Sequence, residues 1–203
     1  MGGREWEGGE EGERGEVRGG RGIRSKTMKS GGVGYQQPTQ DTFPLMRDIN
    51  TYVAALGGIP TLTWLDGTRA GESADALLDL HQDAGSVAIN IVPDRNWNIK
   101  DAADKKVKLE RLYEIVEKAD ARGLPVQVGT EMNAPGLKFV DDFDAPELEP
   151  VRASFERGAY IIYGHVVEQI RSGQGYVSDW SQKEFSDVAA KNKHFEAIGR
   201  ESL

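Results

Sequence analysis

Apolar positions recur along this chain at two alternating spacings. Between Phe43 and Leu56, Leu45, Ile49, Val53 and Leu56 fall three or four residues apart, the period of one helix face. Gly57 and Gly58 end that helix. The pattern then shortens to Ile59 to Trp64, which predicts a strand running into the polar turn Asp66-Gly67. Ser73 can cap a second helix whose inner stripe is Leu77, Leu80 and Ala84, stopped at Gly85. "SVAINIV", Ser86 to Val92, is β-branched and mostly apolar, as a strand covered on both faces should be, and it ends in "PDRNWN". A long helix follows from Ala102 to Arg122, with Leu109, Leu112, Val116 and Ala119 on one face. Val126 to Thr130 is a third strand. Pro146 suits a first helical turn, and Leu148, Val151 and Phe155 line a helix that Gly158 closes. "AYIIYGH", Ala159 to His165, reads as a fourth strand. From about Val166 the chain is helical and amphipathic, with a loop at Ser172 to Gly175.

Strand and helix alternating with short breaks predict right-handed βαβ units and a parallel sheet. A closed parallel barrel needs about eight strands and about 250 residues. The expected fold is therefore α/β: a partial (β/α) barrel of about four parallel strand–helix units over residues 35–203, a truncated barrel rather than a closed one. Such a sheet has two bare edges, which call for a partner. A second copy pairing as a homodimer, or the missing N-terminal half of the barrel, would supply it.

Composition changes the picture at the N-terminus. Residues 1–34 hold nearly half of the chain's 25 glycines, mixed with Glu and Arg and with little to bury. That segment is expected to be a disordered low-complexity tail, with the folded core starting near Phe43. Its "RGGRG", Arg18 to Gly22, is a weak sign of RNA binding, because the neighbouring Glu residues nearly cancel its charge. Met28 is an alternative start. The 203 residues contain no cysteine and carry a formal net charge of −8. Thiol chemistry and Cys-zinc sites are excluded, and a nucleic-acid partner is disfavoured. No apolar run of about 18 residues predicts a membrane span, and no secretory signal is readable; the expected setting is cytoplasmic.

Candidate chemistry gathers at the expected strand ends, where α/β barrels carry their sites. These are Trp64 and Asp66; Asp94, Arg95 and Asn96; Glu131 and Asn133; Tyr163 and His165. Glu131 is the strongest single candidate, since a carboxylate directly after an apolar strand is costly without a partner. Each has a plain structural reading too: Asp66-Gly67 is a turn signal, Asp94 and Asn96 shape a loop, and His165 begins a helix. His81 and His194 fall among charged residues and read as solvated.

"GGIPTLTWLDG" and "GTEMN" also resemble two motifs of the PHP-type (polymerase and histidinol phosphatase) phosphoesterases, in the C-terminal half of their barrel. The resemblance covers about residues 43–136. It implies a distorted (β/α) barrel holding two or three metal ions at the strand C-termini. Trp64 stands where that family has a histidine, Glu131 where it has an aspartate and Asn133 where it has a histidine. The early His-x-His motif has no counterpart.

Three functions follow as expectations. The first is a metal-dependent, phosphoesterase-like hydrolase, or a truncated or degenerate member of that group. Asp66, Asp94 and Glu131 would offer oxygen ligands to Mg²⁺ or Mn²⁺, Arg95 would hold an anionic small-molecule substrate, and His165 would be the general acid or base, with Asn96, Trp64 and Asn133 lining the site. The second is a carbohydrate-active or sugar-isomerising barrel enzyme that pairs Glu131 with Asp94 or Asp66. The third is a non-catalytic remnant that binds a ligand or partner.

Overall fold

A computed structural model describes residues 22–23, 26–68, 73–132 and 138–203. The expectations for residues 1–21 and for Asn133 lie outside the described residues. The chain divides into two units. One comprises Met1–Pro44 and Glu131–Phe139. Turns dominate its described part: the Gly34 N–H donates to the Thr27 carbonyl at 2.7 Å, and the Phe43 N–H to the Thr39 carbonyl at 2.9 Å.

The other unit, Leu45–Thr130 with Val140–Leu203, contains the regular elements. In chain order these are α1 (Met46–Ala55), β1 (Thr61–Trp64), α2 (Ala74–Asp83), β2 (Ala88–Ile91), a short α3 (Asp94–Trp97), α4 (Ala102–Ala121) and β3 (Val126–Val128). A 3-10 turn (Pro146–Val151), α5 (Arg152–Ser172), α6 (Asp179–Glu184) and α7 (Val188–Glu201) follow. Helix starts obey local chemistry. Ser73 accepts from the Ala76 N–H, Asp101 from the Asp104 N–H, and Asp187 from Ala189 and Ala190. No helix among the described residues is long and apolar enough to cross a membrane.

The strands form one parallel sheet in the order β1-β2-β3. Leu62 pairs with Ile89 and Ile89 with Val126; Trp64 pairs with Ile91 and Ile91 with Val128. All six lie on one face, because side chains alternate along a strand. That face packs on Leu78 of α2 and on Leu112, Ile115, Val116 and Ala119 of α4, with Leu148, Val151 and Phe155 closing the cluster. Each fully buried aliphatic side chain there contributes about 1.5–3 kcal/mol.

The sheet is open and three-stranded, which corrects the expectation of a four-unit partial barrel. Ala159 to His165 is not a strand but the middle of α5. Its buried positions, Phe155, Gly158, Ile161 and Gly164-His165, recur at helical spacing. Gly158, which reads as a stop, is a contact point: a Cβ there would lie 1.9 Å from the Val126 carbonyl oxygen. Gly164 has the same relation to the Phe195 carbonyl of α7, at 1.9 Å, and Gly199 to that of Tyr160, at 2.1 Å. The backbones of α5 and α7 approach through these glycines.

A second cluster forms from Ile161, Tyr176 and Phe195, joined by Ile59, Val87, Val177, Trp180 and Phe185. Ile59 precedes β1 and Val87 precedes β2, so α5, α6 and α7 close the N-terminal edge of the sheet. Helix α1 is held differently from expectation. Its one buried residue is Asn50, whose amide donates to the Ala84 carbonyl at 2.9 Å and to the Ser86 hydroxyl at 3.1 Å. Leu45, Ile49 and Leu56, expected inside, are exposed. Leu80 of α2 is exposed likewise, and Leu78 takes the buried place.

Candidate functional site

The second face of the sheet is polar. Thr61 pairs with Ala88, Thr63 with Asn90, and Asn90 with Gln127, so Thr63, Asn90 and Gln127 form a row across all three strands. Thr63 and Gln127 are exposed and Asn90 is half-buried. Among the described residues no group hydrogen-bonds the side chain of any of the three. Gly129 sits beside the row; a Cβ there would meet Asn90 Oδ1 at 3.6 Å. The row therefore presents a hydroxyl and two carboxamides, donors and acceptors both, to whatever approaches. A parallel sheet normally has both faces covered; on this face Ala88 is buried, while the exposed Thr63 and Gln127 depart from that rule.

The C-terminal edge of the sheet adds charge. Asp66, just past β1, accepts from the Thr68 N–H at 3.2 Å and the Thr68 hydroxyl at 2.8 Å. Lys108 Nζ of α4 stands 3.4 Å from Asp66 Oδ2 and 3.6 Å from Asp104 Oδ2. Burial raises the Asp66 carboxyl, but the Thr68 bonds and the Lys108 ammonium outweigh it, and the group titrates below its ordinary value. Past β2, Asp94 opens α3 and accepts from the Asn98 amide through both oxygens, at 3.1 Å each. Arg95 follows it, half-buried. Asn96 is fully buried; its amide donates to the Lys108 carbonyl at 2.9 Å, while its Oδ1 has no partner among the described residues. Asn96 thus fastens α3 to α4 and fixes where Asp94, Arg95 and Lys108 stand.

Several expected site residues lie elsewhere. Trp64 is 3% exposed and belongs to the core. His165 is on α5 at the N-terminal edge: its Nδ1 accepts from the Tyr176 N–H at 2.9 Å, and its other ring nitrogen bonds the backbone of Gly57, which precedes β1. Asp66 follows β1, so His165 and Asp66 lie at opposite ends of the strands and share no cleft. Tyr163 is on the same helix, half exposed. Glu131 is half-buried and belongs, with the position of Asn133, to the first unit. His194 is not solvated; it packs at 5.0 Å from the Phe185 ring and 5.1 Å from that of Phe195. Burial lowers the His81 imidazole. The sequence reading missed Thr63, Asn90, Gln127 and Lys108. The signal for Thr63, Asn90 and Gln127 was the single polar residue in each of "LTW", "AINI" and "VQV"; Lys108 lies among the charged residues of α4.

The donor set can be tested against the metal centre that the resemblance implies. Among the described residues no three His, Asp or Glu side chains come together to hold an ion. Asp66 is engaged by Lys108, and Trp64 is packed where a ligand would stand. These residues do not fit a multi-metal centre, and no chemical step is derived through one. Compared with family models, curated proteins and solved structures, the chain matches none.

Proposed function

We propose that this chain is a ligand-binding α/β protein with an open parallel sheet, and that it takes a small hydroxylated anion of the sugar-acid or sugar-phosphate kind. The observation that carries the reading is the in-register row of Thr63, Asn90 and Gln127, in which Thr63 and Gln127 are exposed and Asn90 is half-buried. Carboxamides and a hydroxyl complement vicinal hydroxyls, each group giving and accepting a hydrogen bond. Lys108 and Arg95, carried by α4 and α3, supply positive charge at the C-terminal edge for the anionic end. Where turnover accompanies binding, Asp94 is the carboxylate placed on that edge to move a proton.

A calorimetric panel of sugar acids, sugar phosphates and neutral sugars tests this. One of the anionic members is expected to bind, and Asn90→Ala to weaken it about tenfold, the equivalent of one lost hydrogen bond of about 1.4 kcal/mol. A panel with no binder, or equal binding by Asn90→Ala, refutes the reading. The metal-dependent phosphoesterase-like hydrolase is the second reading; it would need a single Mg²⁺ or Mn²⁺ to displace Lys108 from Asp66, whose carboxyl titrates below its ordinary value. It gains only if Mn²⁺ raises the melting temperature of the wild type and not that of Asp66→Asn.

A further inference from the structure

We propose that a second copy of this chain covers α1 and α5, each α1 lying on the partner's α5. On α1, from its N-cap Leu45 to its C-cap Leu56, the residues Leu45, Ile49, Tyr52 and Leu56 are spaced four, three and four apart. They are 51%, 43%, 64% and 69% exposed. That is the spacing of a helix–helix seam, and its side chains are exposed. On α5, Ala159, Tyr163, Val166 and Ile170 repeat the same spacing over the same length, all exposed, with Ile170 at 80%. Between the two α5 seam ends, Ala159 to Ile170, the only carboxylate is Glu168. A helix apolar on every side is ordinarily buried on every side.

The two seams meet within one chain. A Cβ on Gly57, next to Leu56, would stand 2.8 Å from the amide nitrogen of Gln169, next to Ile170. The C-terminal ends of the two seams therefore lie close together, and the seams have equal length and matched spacing. A two-fold axis places each on the other at once, which is what a self-complementary interface requires. The seven larger side chains expose on the order of 700 Å², close to the roughly 800 Å² per partner of an ordinary stable interface. The seam residues are uncharged, so the chain's net charge of −8 does not oppose contact there.

Sedimentation equilibrium of the full chain at micromolar concentration tests the pairing. A dimer is expected, and Leu56→Glu and Ile170→Glu are each expected to give a monomer with an unchanged circular dichroism spectrum, both sites being surface positions. Because the chain has no cysteine, Tyr52→Cys and Val166→Cys proteins can be mixed and oxidised. The mixed disulfide is expected to exceed either homodisulfide. A monomeric wild type overturns the proposal, whether or not it binds anionic phospholipid vesicles. So does a dimer that survives both Glu substitutions, or one that gives no mixed disulfide.

Discussion

His165 is a histidine placed to stay neutral. One ring nitrogen accepts from the Tyr176 N–H and the other bonds the backbone of Gly57, tying α5 to the chain on either side. Burial lowers its pKa from 6.5, more than the Gly57 bond raises it. The unfolded chain takes up a proton near pH 6.5 while the folded chain does not. This contribution is therefore complete above that pH and is lost as pH falls below it toward the folded value. A melting-temperature profile from pH 8 to pH 5 should decline for the wild type and flatten for His165→Gln; parallel profiles would contradict the assignment. His165→Ala orphans the buried Tyr176 N–H and should destabilise by about 1–3 kcal/mol. Lys108 and Asp66 form a partly exposed pair, so Lys108→Met should change stability by under about 1 kcal/mol while weakening anion binding.

Elements were legible where period and cap agreed. The Ser73 cap expected for α2 forms, and α4 runs over the span that its apolar period predicts. The first three strands stand where short apolar runs predict them. The fourth strand was misread because Gly158 and Gly164 look like breaks, and only the tertiary contacts reveal them as the places where α5 touches β3 and α7. Helix α1 was legible as a helix; which of its faces is covered was not, since periodicity says nothing about what lies opposite. The polar row was written into each strand, but the register that aligns Thr63, Asn90 and Gln127 is set by strand pairing. Gly158→Ala and Gly164→Ala should each cost about 3 kcal/mol by urea denaturation, since the added methyl meets backbone rather than a side chain that can turn away. Equal stability to the wild type would show that the helices can move apart freely.

In the larger unit, α2 and α4 cover one sheet face and α5 to α7 close the N-terminal edge, while Thr63 and Gln127 of the polar face are exposed. The same unit offers a competing recess of about 350 Å³ at its N-terminal edge, lined by Asp120, Leu124, Arg157, Ile161, Asn192 and Lys193. Its polar lining is largely spent: Asp120 holds Arg157 and Ser154, and Asn192 bonds Gly123 and Tyr176. Among the described residues, the row on the sheet has no such engagements. Amide and side-chain NMR shifts, recorded as the tightest anion of the ligand panel is titrated in, separate the two. The account predicts the largest changes at the Asn90 and Gln127 carboxamides and at Thr63, with smaller ones at Lys108. Changes confined to Arg157, Asn192 and Lys193, with the Asn90 carboxamide unmoved, would contradict it.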